Sequence, residues 1–304
     1  MAYWRDKWTF PGSIEYEYKY AGQYGAKGEK RQTKKKATPE QIKKQNQANR
    51  ETKLRRIIKA NFVPNDLWAT LKYPQGTRKP VGEVRDDMKR FLDAARRTYK
   101  KRGQPFKYVY RMEIGERGGI HLHILVNRLE GCPDTDILIQ NLWKPGRVHY
   151  ESIYEYGGYE RLANYIVKKP EEDSEEAEQL KLFPVEEQKH LLKYSTSRNL
   201  IRPEPERSVY TKWTMRRLIE EGPRPTPGYY IDRDSIRAGV NRYTGMSYYK
   251  YTEYKIKDTK KEAETDADGR HLHGHKHQGS RKRAGTGHVS DALLQTGRQR
   301  PKRE

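Results

Sequence analysis

The chain lacks most of the features of a secreted or membrane-spanning protein. Its single cysteine, Cys132, excludes an intrachain disulfide and gives no reason to suppose an oxidising compartment. No hydrophobic run approaches the length of a transmembrane helix, and the first residues have no apolar core of a signal peptide. The phosphate-binding loop of P-loop enzymes is also missing, so no helicase of that class is fused to the chain. We therefore expect a cytoplasmic protein.

Basic residues are in large excess: 63 Lys and Arg against 41 Asp and Glu give a net charge of +22. A surface of this charge binds polyanions with an affinity that falls steeply with salt, so nucleic acid is the expected partner and anionic membrane the alternative. The chain has 23 Tyr but only 5 Phe. Tyrosines on a basic protein offer platforms for unpaired bases, although they can equally line the edges of a sheet.

Residues 118–126 carry the most informative pattern, because they alternate like a β-strand and contain two histidines. Successive side chains of a strand point to opposite faces, so His121 and His123 share one face. The other face is apolar and consists of Ile120, Leu122, Ile124 and Val126. This pattern predicts two imidazoles on a sheet whose opposite side is buried.

The preceding segment, 109–114, also alternates, and the glycine-containing turn 115–119 would join the two strands into a hairpin. If the apolar residues of both strands share the core face, Glu113 lies on the outer face with the histidines. A loop of three or five residues gives that register and puts Glu113 opposite His121. The apolar pattern favours this register over that of a two- or four-residue loop.

Glu113, His121 and His123 together form a candidate metal site of nitrogen and oxygen ligands. Such a set suits Mg²⁺ or Mn²⁺ and, less exclusively, Zn²⁺. For the histidine pair alone a solvated face is the alternative, and similar pairs occur in zinc hydrolases and cupins; the carboxylate on the same face favours a metal site. A second histidine-rich stretch, 271–277, lacks the apolar neighbours that hold a strand in place, and we interpret it as an adventitious metal binder.

Composition and pattern predict five segments. They are a basic N-terminal arm and helix over 1–63, a compact domain over 64–170, an acidic linker over 171–180, an accessory region over 181–257 and a disordered basic tail over 258–304. In the compact domain the order β-α-β-β-α-β-α predicts an α+β fold, with an antiparallel sheet covered by helices on one face. The open face of that sheet would present the candidate metal ligands.

A candidate nucleophile, Tyr165, lies on a predicted helix over 159–169. Leu162 and Ile166 mark the core-facing stripe of this helix, and Tyr165 falls off its centre. Lys168 and the residue after it are the i+3 and i+4 neighbours of Tyr165, so they reach the same ligand. A tyrosine beside a lysine and a metal can attack a phosphorus atom as phenolate.

These motifs resemble the HUH endonucleases, and in particular the single-tyrosine, Rep-like initiators of rolling-circle replication. The resemblance rests on His121 and His123 flanked by hydrophobic residues, on Glu113 in the preceding strand and on the downstream pair Tyr165 and Lys168. It covers about residues 64–170. The strand over 67–71 stands where that family has its first motif, which is looser than usual here because it carries Trp68.

The resemblance implies a split-palm (ferredoxin/RRM-like) sheet and a divalent metal, Mg²⁺ or Mn²⁺, held by His121, His123 and Glu113. Glu116 remains an alternative third ligand. Tyr165 would then cut single-stranded DNA at a replication origin, leaving a 5′-phosphotyrosyl link and a free 3′-OH.

Lys168 matches the spacing of the family better than Lys169, which stays open as the alternative. An initiator without its own helicase would need a host helicase and a host polymerase. Conjugative relaxases normally place the tyrosine before the histidines, so the order found here argues against a relaxase. A single-tyrosine transposase, or a non-catalytic nucleic-acid-binding protein with a structural metal site, remains a rival interpretation. The latter would tolerate the loss of Tyr165.

Overall fold

The structure is a computed structural model, and it describes residues 2–22, 29–115, 118–153, 158–170, 174–212 and 214–256. Glu116 and the predicted tail over 258–304, with its histidine-rich stretch, lie outside these residues. Within the described ranges no helix combines the length and the apolar character needed to span a membrane.

The described residues form ten strands and seven helices. The strands are β1 (Tyr3–Phe10), β2 (Ser13–Tyr20), β3 (Leu67–Lys72), β4 (Tyr108–Ile114), β5 (Ile120–Val126), β6 (Arg147–Glu151), β7 (Tyr194–Thr196), β8 (Glu206–Val209), β9 (Tyr229–Asn241) and β10 (Met246–Lys255). The helices are α1 (Pro39–Asn61), α2 (Val81–Lys101), α3 (Thr135–Leu142), α4 (Gly158–Val167), α5 (Glu175–Lys181), α6 (Val185–Leu191) and α7 (Met215–Glu221).

The first sheet has the strand order β6-β3-β5-β4-β7 and is antiparallel throughout. One of its faces buries the apolar stripe of α2, which includes Val84, Met88 and Phe91, together with residues of α3. The alternating pattern of β5 supplies Leu122 and Ile124 to the same core. This arrangement confirms the predicted α+β class with an antiparallel sheet and is consistent with a split-palm fold.

Helices also pack on part of the opposite face, where the sequence predicts an open surface. Trp68, Val109 and Leu125 point to that face and form a second core with buried residues of α1 and α4. The open part of the face is therefore confined to the end of the β4–β5 hairpin that carries Glu113 and the histidines. Because α4 packs beside this end, it brings its side chains to the edge of the candidate site.

The second sheet, in the order β8-β1-β2-β10-β9, corrects the predictions for both flanking regions. Residues 3–20 are not an arm, because they form a hairpin that pairs with β10 of the accessory region. Tyrosines stabilise this sheet: the Tyr16 and Tyr251 rings stack with centroids 5.0 Å apart, on the face that covers α7. The predicted boundaries at residues 63 and 181 therefore separate strands that belong to one sheet.

The predicted acidic linker is also different, because most of its described part is helical. Ser174 caps the N-terminus of α5 by accepting a hydrogen bond from the Ala177 amide at 3.2 Å, and acidic residues fill the first turn. Negative charge at this end of a helix is favourable because the free N–H groups and the helix dipole are positive there. The acidic run is thus a helix start.

Helix α1 connects the two sheets through buried ion pairs. Its apolar residues face the first sheet, whereas Arg55, Arg56 and Lys59 face Glu15 of β2. All three cations lie 2.9 Å from carboxylate oxygens of Glu15, which is only 2% exposed. Burial alone would raise the pKa of Glu15, but these cations lower that pKa to about 2. The second sheet is therefore held against α1 mainly by charge.

Candidate active site

The β4–β5 hairpin brings the predicted metal ligands together. Glu113 pairs directly with His121 across the two strands, and residues 115–119 form the connecting loop, as the apolar pattern predicts. Oε2 of Glu113 lies 2.6 Å from Nε2 of His123 and 3.5 Å from Nε2 of His121. One ligand atom of each residue lies within 4.8 Å of the others, so the three form a group that could hold a metal ion.

A glycine at the end of β4 makes room for His121. A Cβ atom on Gly115 would lie 3.1 Å from Cε1 of His121 and 3.3 Å from the carbonyl oxygen of Gly119. Both distances are tighter than ordinary van der Waals contacts, so a side chain here would push the imidazole away from Glu113. The Gly115 amide also closes the loop by donating to the Gly119 carbonyl at 2.8 Å.

The electrostatics of this group suit a divalent cation. Burial would raise the pKa of Glu113, but hydrogen bonds from His121, His123 and Tyr165 hold it well below its ordinary value. Burial lowers the pKa of His123, which favours its neutral, metal-binding form. Thr70 on β3 holds the other ring nitrogen of His123, with Oγ1 3.1 Å from Nδ1. An ionised carboxylate with two imidazoles is a donor set that Mg²⁺, Mn²⁺ and Zn²⁺ accept.

Tyr165 on α4 contacts this group with its hydroxyl. The hydroxyl donates a hydrogen bond to Glu113, and its oxygen lies 2.7 Å from Nε2 of His123. Trp68 supports the arrangement, because its ring stacks on His123 at 5.7 Å and meets the Tyr165 ring edge-on at 6.0 Å. The structure thus places the predicted nucleophile against two of the three predicted ligands.

Arg111 holds the end of α4 at this site and was missed by the sequence analysis. Its guanidinium, in a side chain only 6% exposed, donates to the carbonyl oxygens of Tyr165 at 2.6 Å and Lys168 at 3.1 Å. Its Cζ lies 5.5 Å from the centre of the Tyr165 ring, and its Nη2 lies 3.7 Å from the Glu176 carboxylate. The available signal was its position two residues before Glu113, which puts both side chains on one face of β4.

A basic cleft of about 1120 Å³ runs along Tyr165, between α4 and the first half of α1. Lys168 and Lys169 both line it, so the structure does not discriminate between the two candidates. Six basic residues line the cleft against one acidic residue, Glu40; they are Lys43, Lys44, Arg50, Arg161, Lys168 and Lys169. Such a surface attracts a phosphate backbone and leads it to the tyrosine.

Comparison with known proteins finds a match for the part of the chain that carries this site. Residues 66–170 match a family model of replication-associated proteins, described as the ORF2 type. No curated protein and no solved structure matches the chain. The matched segment begins one residue before β3 and ends three residues after α4, so it contains the hairpin and Tyr165. The segment around the candidate site is similar to this family of replication-associated proteins, a similarity that supports a Rep-like, DNA-binding replication initiator.

Proposed function

We propose that this protein nicks and rejoins single-stranded DNA in a metal-dependent reaction with Tyr165 as the nucleophile. It would thereby start rolling-circle replication of a plasmid, phage or integrative element, as an HUH-type endonuclease. One observation carries the proposal: the Tyr165 hydroxyl hydrogen-bonds to Glu113 and lies 2.7 Å from His123, within the candidate metal group. A tyrosine hydroxyl at that position can reach a phosphate bound beside the metal.

The residues of the chain divide the chemistry in a simple way. Mg²⁺ or Mn²⁺, when held by Glu113, His121 and His123, supplies the positive charge that polarises the scissile phosphate. Tyr165 loses its phenolic proton to solvent, and its oxygen bonds to phosphorus while the bond from phosphorus to the 3′ oxygen breaks. That 3′ oxygen takes up a proton from solvent, so charge and protons balance. Lys168 adds positive charge in the same cleft.

The product explains which partners the reaction needs. The DNA would remain linked to Tyr165 through its 5′ phosphate, and the free 3′-OH would serve a host polymerase in the cytoplasm. Attack of a 3′-OH on the phosphotyrosine would reverse the step and join strands. Because the sequence has no P-loop, a host helicase would open the duplex. ATP-driven unwinding by the purified protein alone would contradict that partnership.

The direct test is a covalent adduct between protein and DNA. The protein is incubated with Mn²⁺ and a pool of single-stranded DNA from its replicon, and the products are separated on a denaturing gel. We expect an adduct that EDTA prevents and whose modified peptide contains Tyr165. Tight, salt-sensitive binding without an adduct would instead favour the non-catalytic nucleic-acid-binding alternative.

Thr70→Val is expected to weaken Mn²⁺ binding about 10–100-fold, as the loss of a partner behind a metal-binding histidine typically does. If Nδ1 of His123 donates to the Thr70 hydroxyl, Nε2 keeps its lone pair for the metal. Valine has nearly the same shape but accepts no hydrogen bond, so the imidazole would lose its orientation. Calorimetric titration with Mn²⁺ in the absence of DNA measures the effect.

Thr98→Val is the matched control for this prediction. The Thr98 hydroxyl donates to the Ala94 carbonyl within α2, remote from the hairpin, so its loss should leave Mn²⁺ affinity unchanged. Equal affinities for the wild type and Thr70→Val would show that Thr70 does not orient the ligand.

A further inference from the structure

A second basic cavity lies on the other side of α1, between this helix and the second sheet; we call it the basic groove. Its volume is about 1020 Å³. Six exposed basic side chains line it, from α1, the loop after β7 and the β9–β10 hairpin: Lys44, Lys53, Arg202, Arg237, Arg242 and Lys250. Glu17 and Glu204 are the acidic residues of the lining. This balance of charge suits a polyanion.

Two tyrosines give the basic groove a chemistry beyond charge. Tyr243, at the turn between β9 and β10, is 44% exposed, and Tyr248 is half-buried at the start of β10. Gly239 on the neighbouring strand leaves space for Tyr248, since a Cβ there would lie 3.2 Å from the tyrosine oxygen. Aromatic rings beside phosphate-binding cations are the surface on which unpaired bases stack. Paired bases cannot offer their faces in this way.

The basic groove is continuous with the cleft at Tyr165. Helix α1 forms a wall of both, and Lys44 lines both cavities. Further along α1, Gln47 and Arg50 face the cleft while Ala48 and Lys53 face the basic groove, as helical periodicity requires for two opposite walls. A bound chain could therefore pass from one cavity to the other over the first half of α1.

We infer that the basic groove binds the single-stranded DNA that flanks the nicking site. The inference rests on the proposed function for the position of the nick, but the binding itself does not require cleavage. None of the six basic residues lies in the segment that matches the replication-associated family, so this surface is a feature of the flanking regions. The second sheet would thus extend the DNA contact beyond the cleft.

Binding is measured in Tyr165→Phe protein with EDTA, so that no chemistry contributes. The probe is a labelled single strand of about 40 nucleotides, longer than the ~4–16 nucleotides of a typical single-strand site. The groove variant combines Lys53→Gln, Arg237→Gln, Arg242→Gln and Lys250→Gln. We expect its affinity at low salt to fall at least about tenfold, and its salt slope to decrease by up to about 3, at about 0.7 per lost phosphate contact.

A variant with the same change in net charge serves as the control. Lys89→Gln, Arg97→Gln, Lys100→Gln and Lys101→Gln remove four exposed cations from α2 and should lower the affinity far less. An equal loss in both variants would overturn the inference, because it would show a general effect of charge. Circular dichroism confirms that each variant is folded.

Tyr243→Ala separates unpaired from paired DNA. We expect it to weaken single-strand binding about fivefold or more and to leave duplex binding unchanged, since only unpaired bases stack on the ring. Tighter binding of duplex or RNA than of single-stranded DNA to the wild type, or no effect of Tyr243→Ala, would overturn the assignment. The proposed function fails separately, in the adduct assay, so the two failures are distinguishable.

Discussion

Tyr165→Phe is expected to abolish the covalent protein–DNA adduct, a loss of at least about 10³-fold in its rate of formation. The substitution removes only the oxygen that would bond to phosphorus. The aromatic ring keeps its edge-on contact with Trp68, and Arg111 still holds the carbonyls at the end of α4. The loss would therefore be chemical, and single-stranded DNA should still bind in the cleft.

Tyr159→Phe is the matched control for that result. Tyr159 lies on the same helix, and its hydroxyl donates to the Phe62 carbonyl at 3.1 Å, away from the metal group. This variant should form the adduct at nearly the wild-type rate. Adduct formation by Tyr165→Phe, or its loss in Tyr159→Phe alone, would assign the nucleophile to another residue. Quantitative denaturing gels over time decide between these outcomes.

Glu15→Gln is expected to lower the free energy of unfolding at pH 7 by about 3 kcal/mol. The estimate follows from the pKa of Glu15, which falls from 4.5 to about 2 on folding. Without the carboxylate, Arg55, Arg56 and Lys59 would be left with uncompensated charge against the second sheet. Urea denaturation followed by circular dichroism measures the change.

The same pair of proteins gives a pH prediction of defined sign. Because the folded pKa of Glu15 lies below the unfolded one, its contribution is fully present above pH 4.5. It is lost as the pH falls through about 2, where the carboxylate of the folded protein takes up its proton. The stability difference between the wild type and Glu15→Gln should therefore shrink over this window.

Glu220→Gln is the control for this second prediction. Glu220 pairs with Arg216 on the exposed surface of α7, at 2.8 Å, and surface ion pairs contribute little because water screens them. This variant should unfold at the same urea concentration as the wild type. A Glu15→Gln protein as stable as the wild type at pH 7, or a difference that does not depend on pH, would contradict the charged junction.

The hairpin of the candidate site could be predicted because its information is local. Alternation in β4 and β5, with a five-residue loop between them, fixes which side chains face each other, and Glu113 opposite His121 follows from that register. The contact of Tyr165 with these residues could not be derived in this way. It depends on how α4 packs on the sheet, and only the family resemblance pointed to it.

The second sheet was missed because its partners are far apart in sequence. Tyr18 of β2 pairs with Tyr249 of β10, and no local pattern connects them. The alternation of aromatic and charged residues in β1 and β2 was present, with Tyr3, Trp8 and Phe10 buried, but the basic composition of the region obscured it. Charge excess indicates partners and does not by itself exclude ordered structure.

The topology of the second sheet has a consequence for how the molecule is built. It joins the first strands of the chain to β9 and β10, so it closes only after synthesis has passed Lys255. By contrast, the segment from β3 to α4 is continuous and pairs largely within itself. Closing a long loop is slow compared with forming such near contacts. We therefore expect a nascent chain to shape the nucleophile and its hairpin first and to complete its DNA-binding surface last.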